Sequence, residues 1–152
     1  MALSFQIRAA TPEDAAGLAA CMRAAYGAYE ARMAGTRLPP LDVDYADEIA
    51  SYPTWIACTS GHIVGGLIMS FEARRAFIAN IAVAPTSQGQ GIGGALMRFA
   101  ETQATERRCA ELHLATHVML TENLALYRHL GWRETSRDEV RVFMKKDLEA
   151  SP

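Results

Sequence analysis

The sequence predicts an α/β (mixed α+β) fold: a mixed central sheet of about seven strands with helices on both faces. Three observations predict it. Apolar strand-like runs and helix-period stretches follow one another in the order β-α-α-β-β-β-α-β-α-β-β. Residues 77–83, the helix behind them and residues 111–116 make a strand–helix–strand unit, whose right-handed crossover implies parallel pairing. Two further β runs flank Thr59-Ser60-Gly61, a hairpin signal that adds antiparallel pairing. The 152 residues read as one domain, 1–152, long enough for a real core and without linker, repeat or low-complexity stretch.

Each element has a local cause. Phe5-Gln6-Ile7-Arg8 alternates as a first strand. Thr11-Pro12-Glu13-Asp14 starts a helix, with Thr11 as cap, Pro12 at the first position and two acids at the positive end of the dipole. Leu18, Met22, Ala25 and Tyr29 then give one apolar face down to about Ala31. Tyr26 and Tyr29 read as core or cleft wall. Gly35, Pro39 and Pro40 mark 32–44 as a loop, and a short helix over 44–51 follows. The charges Arg32, Arg37, Asp42, Asp44, Asp47 and Glu48 read mostly as a solvated surface.

Residues 55–58 and 62–71 are the hairpin strands, and Gly65-Gly66 inside the second predicts a bulge or a close backbone approach. Arg74-Arg75 turns the chain into the 77–83 strand. Beyond it, Ile92, Ala95, Leu96, Phe99 and Ala100 fall on one helix face, and Arg107 and Arg108 suit the negative end of that helix. Residues 111–116 alternate as a strand. Thr121 is the expected cap of the next helix and Gly131 its end. Residues 132–135 and 140–146 form a last strand pair.

Composition narrows the classes. Half the residues are hydrophobic, a fifth are charged and the net charge is −2, so no nucleic acid or anionic membrane is expected as partner. No apolar run is long enough to span a bilayer, and the first ten residues lack a signal peptide's pattern. Cys21, Cys58 and Cys109 are odd in number and widely spaced. They form no metal-ligand pattern and read as reduced thiols of a cytoplasmic protein.

The chain is organised around Gly89, Gly91, Gly93 and Gly94, which sit between the 77–83 strand and a helix. Glycines there let backbone N–H groups converge, and the helix adds unpaired amides and a positive dipole end, a site for a pyrophosphate. A Walker A loop is rejected, because Ala95-Leu96 stand where Lys-Ser/Thr is required. Gly89, Gly91 and Gly94 also fit G-x-G-x-x-G. However, Pro85 and several polar residues separate them from the strand, and Glu111 is at the wrong end of the next strand to hold a ribose.

Gln88-Gly89-Gln90-Gly91-Ile92-Gly93 resembles Q/R-x-x-G-x-G/A, the pyrophosphate loop of the GNAT acyltransferase superfamily. The preceding Ile81-Ala82-Val83-Ala84-Pro85 resembles that family's strand. Asn123-Leu124-Ala125-Leu126-Tyr127-Arg128-His129-Leu130-Gly131-Trp132 resembles its second signature, a helix tyrosine before Leu-Gly-aromatic. The resemblance spans roughly residues 3–148. It implies acetyl-CoA as cofactor, its pyrophosphate on Gln88, Gly89, Gln90, Gly91, Ile92, Gly93 and Gly94. The pantetheine arm would pair with the backbones of Ile81, Ala82 and Val83 as an added strand. The family's usual cofactor-binding Asn lies seven residues before the tyrosine, where this chain has Leu120; Asn123, one turn before Tyr127, is the substitute expected to reach the cofactor.

Acyl transfer from a thioester to an amine requires a deprotonated amine, a stabilised oxyanion and a protonated leaving thiolate. The resemblance assigns the last role to Tyr127. Where the family often has a Glu, this chain has Ala79-Asn80. Glu30, Glu72, His113, His117 and an ordered water are the candidates for general base, and the sequence assigns none of them. The expected function is an acetyl-CoA-dependent N-acetyltransferase acting on a small-molecule amine or a peptide, with a homodimer through the C-terminal strands where Val140, Val142 and Met144 alternate with Arg141, Phe143 and Lys145. The alternative is a non-catalytic acyl-CoA-binding sensor.

Overall fold

The computed structural model describes residues 4–32 and 38–148; the Gly35 and Arg37 part of the expected 32–44 loop lies outside them. The elements are β1 (Gln6–Ala9), α1 (Ala15–Arg32), α2 (Tyr45–Ser51), β2 (Thr54–Thr59), β3 (His62–Glu72), β4 (Arg75–Val83), α3 (Ile92–Glu106), β5 (Glu111–His117), α4 (Thr121–His129), β6 (Arg133–Arg137) and β7 (Arg141–Asp147). Short 3₁₀ turns precede α1, α2 and α3. The strand order in the mixed sheet is β1-β2-β3-β4-β5-β7-β6. The chain forms two compact units, one of residues up to Met69 with Asn80–Phe99, the other of Ser70–Ala79 with residues from Ala100 onward.

In the first unit β1 runs antiparallel to β2, from Gln6↔Cys58 to Ala9↔Trp55. Ser60 and Gly61, both at positive φ (49° and 79°), make the two-residue turn joining β2 to β3. The glycine pair in β3 lies beside a bulge, the first of the two alternatives expected of it, and the close neighbours from the helices are side chains. Pairing jumps from Ala57↔Gly65 to Cys58↔Ile63, so Val64 is the extra residue of a bulge. The neighbouring elements also come close. A Cβ on Gly66 would lie 2.5 Å from Leu18 Cδ1 of α1, and one on Gly65 would lie 3.1 Å from Leu96 Cδ1 of α3. Successive strand residues point to opposite faces, so α1 and α3 cover opposite faces of this part of the sheet. Leu18, Met22, Tyr45, Ile56 and Ile68 form a buried cluster under α1 and α2.

The entry to α1 is fixed by charge. Asp14 accepts the Thr11 N–H (2.7 Å) and hydroxyl (3.2 Å) and both arms of the Arg8 guanidinium (2.9 and 3.0 Å). Those bonds hold its carboxyl well below the usual range, at about 2. The α2 helix starts on Asp44, whose side chain accepts from the N–H groups of Ala46 and Asp47.

In the second unit β4 and β5 are parallel and share three pairs, Arg75↔Glu111 to Phe77↔His113. The ladder stops there, although β4 runs on to Val83 and β5 to His117. β7 lies antiparallel to β5 over its full length and to β6 on its other side. Ala76, Ile78, Leu112, Leu114, Val142 and Met144 form the buried face. Val142 and Met144 therefore serve the chain's own core; of the alternation expected to meet a second copy, Val140 is 52% exposed, and Arg141, Phe143 and Lys145 lie on the strand's other face.

Helix ends depart from the sequence reading in two places. Thr121 is the first residue of α4, not its cap; Leu120 occupies the cap position and gives no side-chain bond. Arg107 and Arg108 lie past the last residue of α3. Arg107 still donates to the Gln103 carbonyl at 3.3 Å, whereas Arg108 takes φ 60° and closes the helix itself, with its N–H on Thr105 O and that of Cys109 on Ala104 O. The end of α4 is built likewise around Gly131 (φ 95°). Its N–H reaches Arg128 O, and the Trp132 N–H reaches Tyr127 O.

Candidate functional site

In the first unit the glycine loop has the geometry its sequence predicts. Gly89 (φ 81°) and Gly91 (φ 84°) are left-handed, a conformation that strains any side chain. A Cβ at either would meet nothing within 4 Å, so the loop leaves open space where a ligand oxygen could approach the backbone. The first capping bond of α3 runs from Ala95 N–H to Gly91 O, so the amides of Ile92, Gly93 and Gly94 precede any intrahelical carbonyl. Gly93 and Gly94 stand in the helix's first turn, where each costs about 1 kcal/mol relative to Ala. What they provide is bare backbone at the positive end of the helix, and these residues fit a pyrophosphate.

The edge of β4 beyond the ladder supplies the second part. The Ala84 N–H donates to Val64 O, and Ala82 O lies 3.2 Å from a Cβ built on Gly65. Alternation then turns the peptide groups of Ile81 and Val83 away from β3. Of the three backbones expected to meet a pantetheine arm, Ala82 is the one committed to β3. The Ile81 carbonyl accepts the Tyr26 hydroxyl at 3.1 Å, and the Val83 carbonyl accepts Gln88 Nε2 at 3.4 Å. Gln88 and Gln90 are exposed.

A polar chain crosses this end of β4. The Tyr26 hydroxyl is 2.7 Å from Asn80 Oδ1, Asn80 Nδ2 donates to the Tyr45 hydroxyl at 3.3 Å, and that hydroxyl donates to the Pro40 carbonyl at 2.6 Å. Burial pushes the Tyr45 phenol up to about 12, so it stays protonated. Tyr26 is thus a half-buried residue with defined partners. Nothing in the sequence singles out Tyr45, and Asn80 reads there only as the place of a missing Glu. The available signal was an Asn inside an apolar strand, where only a hydrogen-bonded amide is stable.

In the second unit Tyr127 is buried, 9% exposed, three residues before the α4 cap. Its carbonyl takes the Trp132 N–H and its ring lies 6.0 Å from the Trp132 ring, so the Tyr-x-x-x-Gly-Trp spacing is the spacing of a helix-ending motif with its apolar contact. Asn123 is half-buried, its N–H on Leu120 O, one turn earlier on the same helix. Of the possible bases, Glu72 is exposed at the end of β3 and His117 Nδ1 accepts the Met119 N–H at 3.1 Å. His113 stacks on Phe77 with ring centroids 5.1 Å apart and lines a cavity of about 310 Å³. Among the described residues no His/Cys/Asp/Glu group could hold a metal ion, and no helix is long and apolar enough to cross a membrane. Cys21, Cys58 and Cys109 are free thiols.

Residues 22–132 match the Acetyltransferase (GNAT) family, a stretch that runs through both units. The chain belongs to that family. It is an enzyme of the N-acetyltransferase class, and acetyl-CoA is the family's acetyl donor. No curated protein sequence matches the chain. Among solved structures it is similar to the PaiA N-acetyltransferase of Thermoplasma acidophilum in complex with coenzyme A, at TM-score 0.85 and 19% identity over 95% of this chain and 99% of that one. The ribosomal-protein-S18-alanine N-acetyltransferase of Escherichia coli matches at TM-score 0.79 and 19% identity, covering 98% and 97% of the two chains. Ard1 of Thermoplasma volcanium matches at 0.74 and 19%, covering 97% and 99%. At these identities the likeness is one of fold.

Proposed function

We propose that this chain transfers the acetyl group of acetyl-CoA to a primary amine by direct attack, on a small molecule or a peptide, in the cytoplasm. The observation that carries the reading is the loop of Gly89 and Gly91, open on its outer side and leading into the bare amides of α3. Residues 88–94 would hold the pyrophosphate by backbone N–H groups, and the outward peptide groups of Ile81 and Val83 would pair with the amide chain behind it. Asn123 is the further contact proposed on α4. Bound acetyl-CoA supplies an activated acyl group. The chain's own contribution is to orient that group, exclude water and deliver one proton.

That proton is assigned to Tyr127. A buried phenol is a weak acid that gives up its proton as charge develops on a departing thiolate. Tyr127→Phe keeps the ring beside Trp132 and deletes the proton. The expected result is a fall in kcat of about 10²- to 10⁴-fold with little change in the Kd for acetyl-CoA. A near-wild-type kcat refutes the assignment, and weakened binding with normal turnover makes Tyr127 a cofactor contact instead. The assembly proposed is a homodimer through the C-terminal strands β6 and β7, of which β6 ends the strand order. Light scattering that shows a monomer at high concentration removes it.

A further inference from the structure

The outward edge of β4 in the first unit offers its polar groups unequally. Both outward carbonyls accept a side-chain donor, but on different terms. Val83 O takes Gln88 Nε2 at 3.4 Å, and Gln88 is exposed, so a ligand amide replaces that long bond at little cost. Ile81 O takes the Tyr26 hydroxyl at 3.1 Å. That hydroxyl is anchored, because it also lies 2.7 Å from Asn80 Oδ1. Asn80 is only 8% exposed and is tied in turn to the Tyr45 hydroxyl at 3.3 Å.

Tyr26 therefore brackets one peptide. Asn80 and Ile81 share it, and the hydroxyl holds the side chain of the first and the carbonyl of the second. The N–H between them, that of Ile81, faces outward by the alternation of the strand. Ile81 thus presents a donor while its acceptor is occupied, whereas Val83 can serve as both. A pantetheine amide gives and takes a hydrogen bond, so Val83 satisfies it and Ile81 satisfies half of it. A thioester carbonyl only accepts, and an N–H held in place is worth most to it as charge develops on its oxygen. The glycine loop follows β4, so an arm that starts there meets Val83 first and Ile81 about 6.6 Å further on.

We propose that Tyr26 is a positioning residue of the donor site: through the Ile81 carbonyl it fixes the peptide at which the thioester end of the donor, rather than its amide arm, comes to rest. The inference rests on the acetyltransferase reading and deepens it. The test uses the full chain and acetyl-CoA labelled with carbon-13 at the thioester carbonyl. Infrared difference spectra of the wild type should show that carbonyl band at lower frequency when bound than when free. Tyr26→Phe should lose most of this shift. Its Kd for 3′-phospho-ADP, which carries the phosphate end of the cofactor without the arm, should stay unchanged by calorimetry.

Tyr45→Phe separates positioning from a merely structural role. It removes a hydroxyl from the same chain, at the end remote from Ile81, and should lower Tm while keeping the full band shift. Replacing Tyr26 by 4-aminophenylalanine retains an N–H donor and should restore the shift. If Tyr26→Phe does not fold, 4-fluorophenylalanine at that position fills the hydroxyl's space without donating, and the same comparison holds. A full band shift in the folded variant without a donor, an equal loss in Tyr45→Phe, or a wild type that binds acetyl-CoA without any shift overturns the inference. A wild type that binds neither 3′-phospho-ADP nor acetyl-CoA overturns the acetyltransferase reading instead.

Discussion

Removing the Tyr26 hydroxyl tests the polar chain at the end of β4. In Tyr26→Phe the ring stays in place on α1 and its edge contact with Tyr29 at 6.2 Å is kept. What is lost is the donor for Asn80 Oδ1 (2.7 Å) and Ile81 O (3.1 Å). One proton serves two acceptors, so one good bond and one partial bond disappear. Asn80 is only 8% exposed, so its amide oxygen stays buried without that donor. An orphaned buried acceptor costs about 1–3 kcal/mol, and about 2 kcal/mol is expected here. In a chain of this size that lowers Tm by roughly 4–8 °C. Urea unfolding at neutral pH should move its midpoint at constant slope. Asn80→Leu removes the other partner, and the double variant should be less destabilised than the sum of the two singles by about 1 kcal/mol, because the residues share one bond. A Tyr26→Phe midpoint equal to wild type, or strict additivity in the double variant, refutes the chain as a stabilising link.

Gly91→Val forces a β-branched residue to φ 84°, so acetyl-CoA binding by calorimetry should be lost while the far-UV spectrum stays native; unchanged affinity would remove the pyrophosphate from this loop. Arg108→Gly relieves a left-handed arginine at the end of α3 and should raise stability by about 0.5–1 kcal/mol in urea unfolding, whereas a loss would show that the arginine side chain matters more than its backbone. The Asp14 carboxyl is depressed to about 2 from an ordinary 3.8, so it contributes stability that is fully present above pH 4 and is lost as pH falls toward 2. Arg8 is 42% exposed, which screens the pair, so the contribution is on the order of 1–2 kcal/mol; Asp14→Asn should remove that pH dependence, and an unaltered acid transition would contradict it.

The features legible in the sequence are those set by neighbours in the chain. Ser60-Gly61 closes a hairpin because both residues take positive φ, and Gly131 ends α4 for the same reason. Leu18, Met22 and Ala25 are buried on one face of α1 as their spacing requires. Gly89 and Gly91 are left-handed in the loop their pattern marks. Features that depend on distant pairing were not legible. Asn80 meets Tyr26 across 54 residues and Tyr45 across 35, and no local period encodes either contact. The cavity at Ala79 and Ala115 depends on where the β4–β5 ladder stops, which is a property of register. Thr121 has a capping residue's chemistry, but the turn before it places Leu120 at the cap instead. Arg108 closes α3 without the glycine that would have announced it.

The central claim is that this chain transfers acetyl groups. Its most direct test is release of free thiol from acetyl-CoA in single turnovers, with and without amines, read beside the mass of each amine. Transfer predicts that thiol release rises with at least one amine, and that this amine gains the mass of one acetyl group in equal amount. Acetyl-CoA that binds tightly yet releases thiol no faster with any amine, and leaves every amine's mass unchanged, would contradict the claim and make the chain an acyl-CoA sensor.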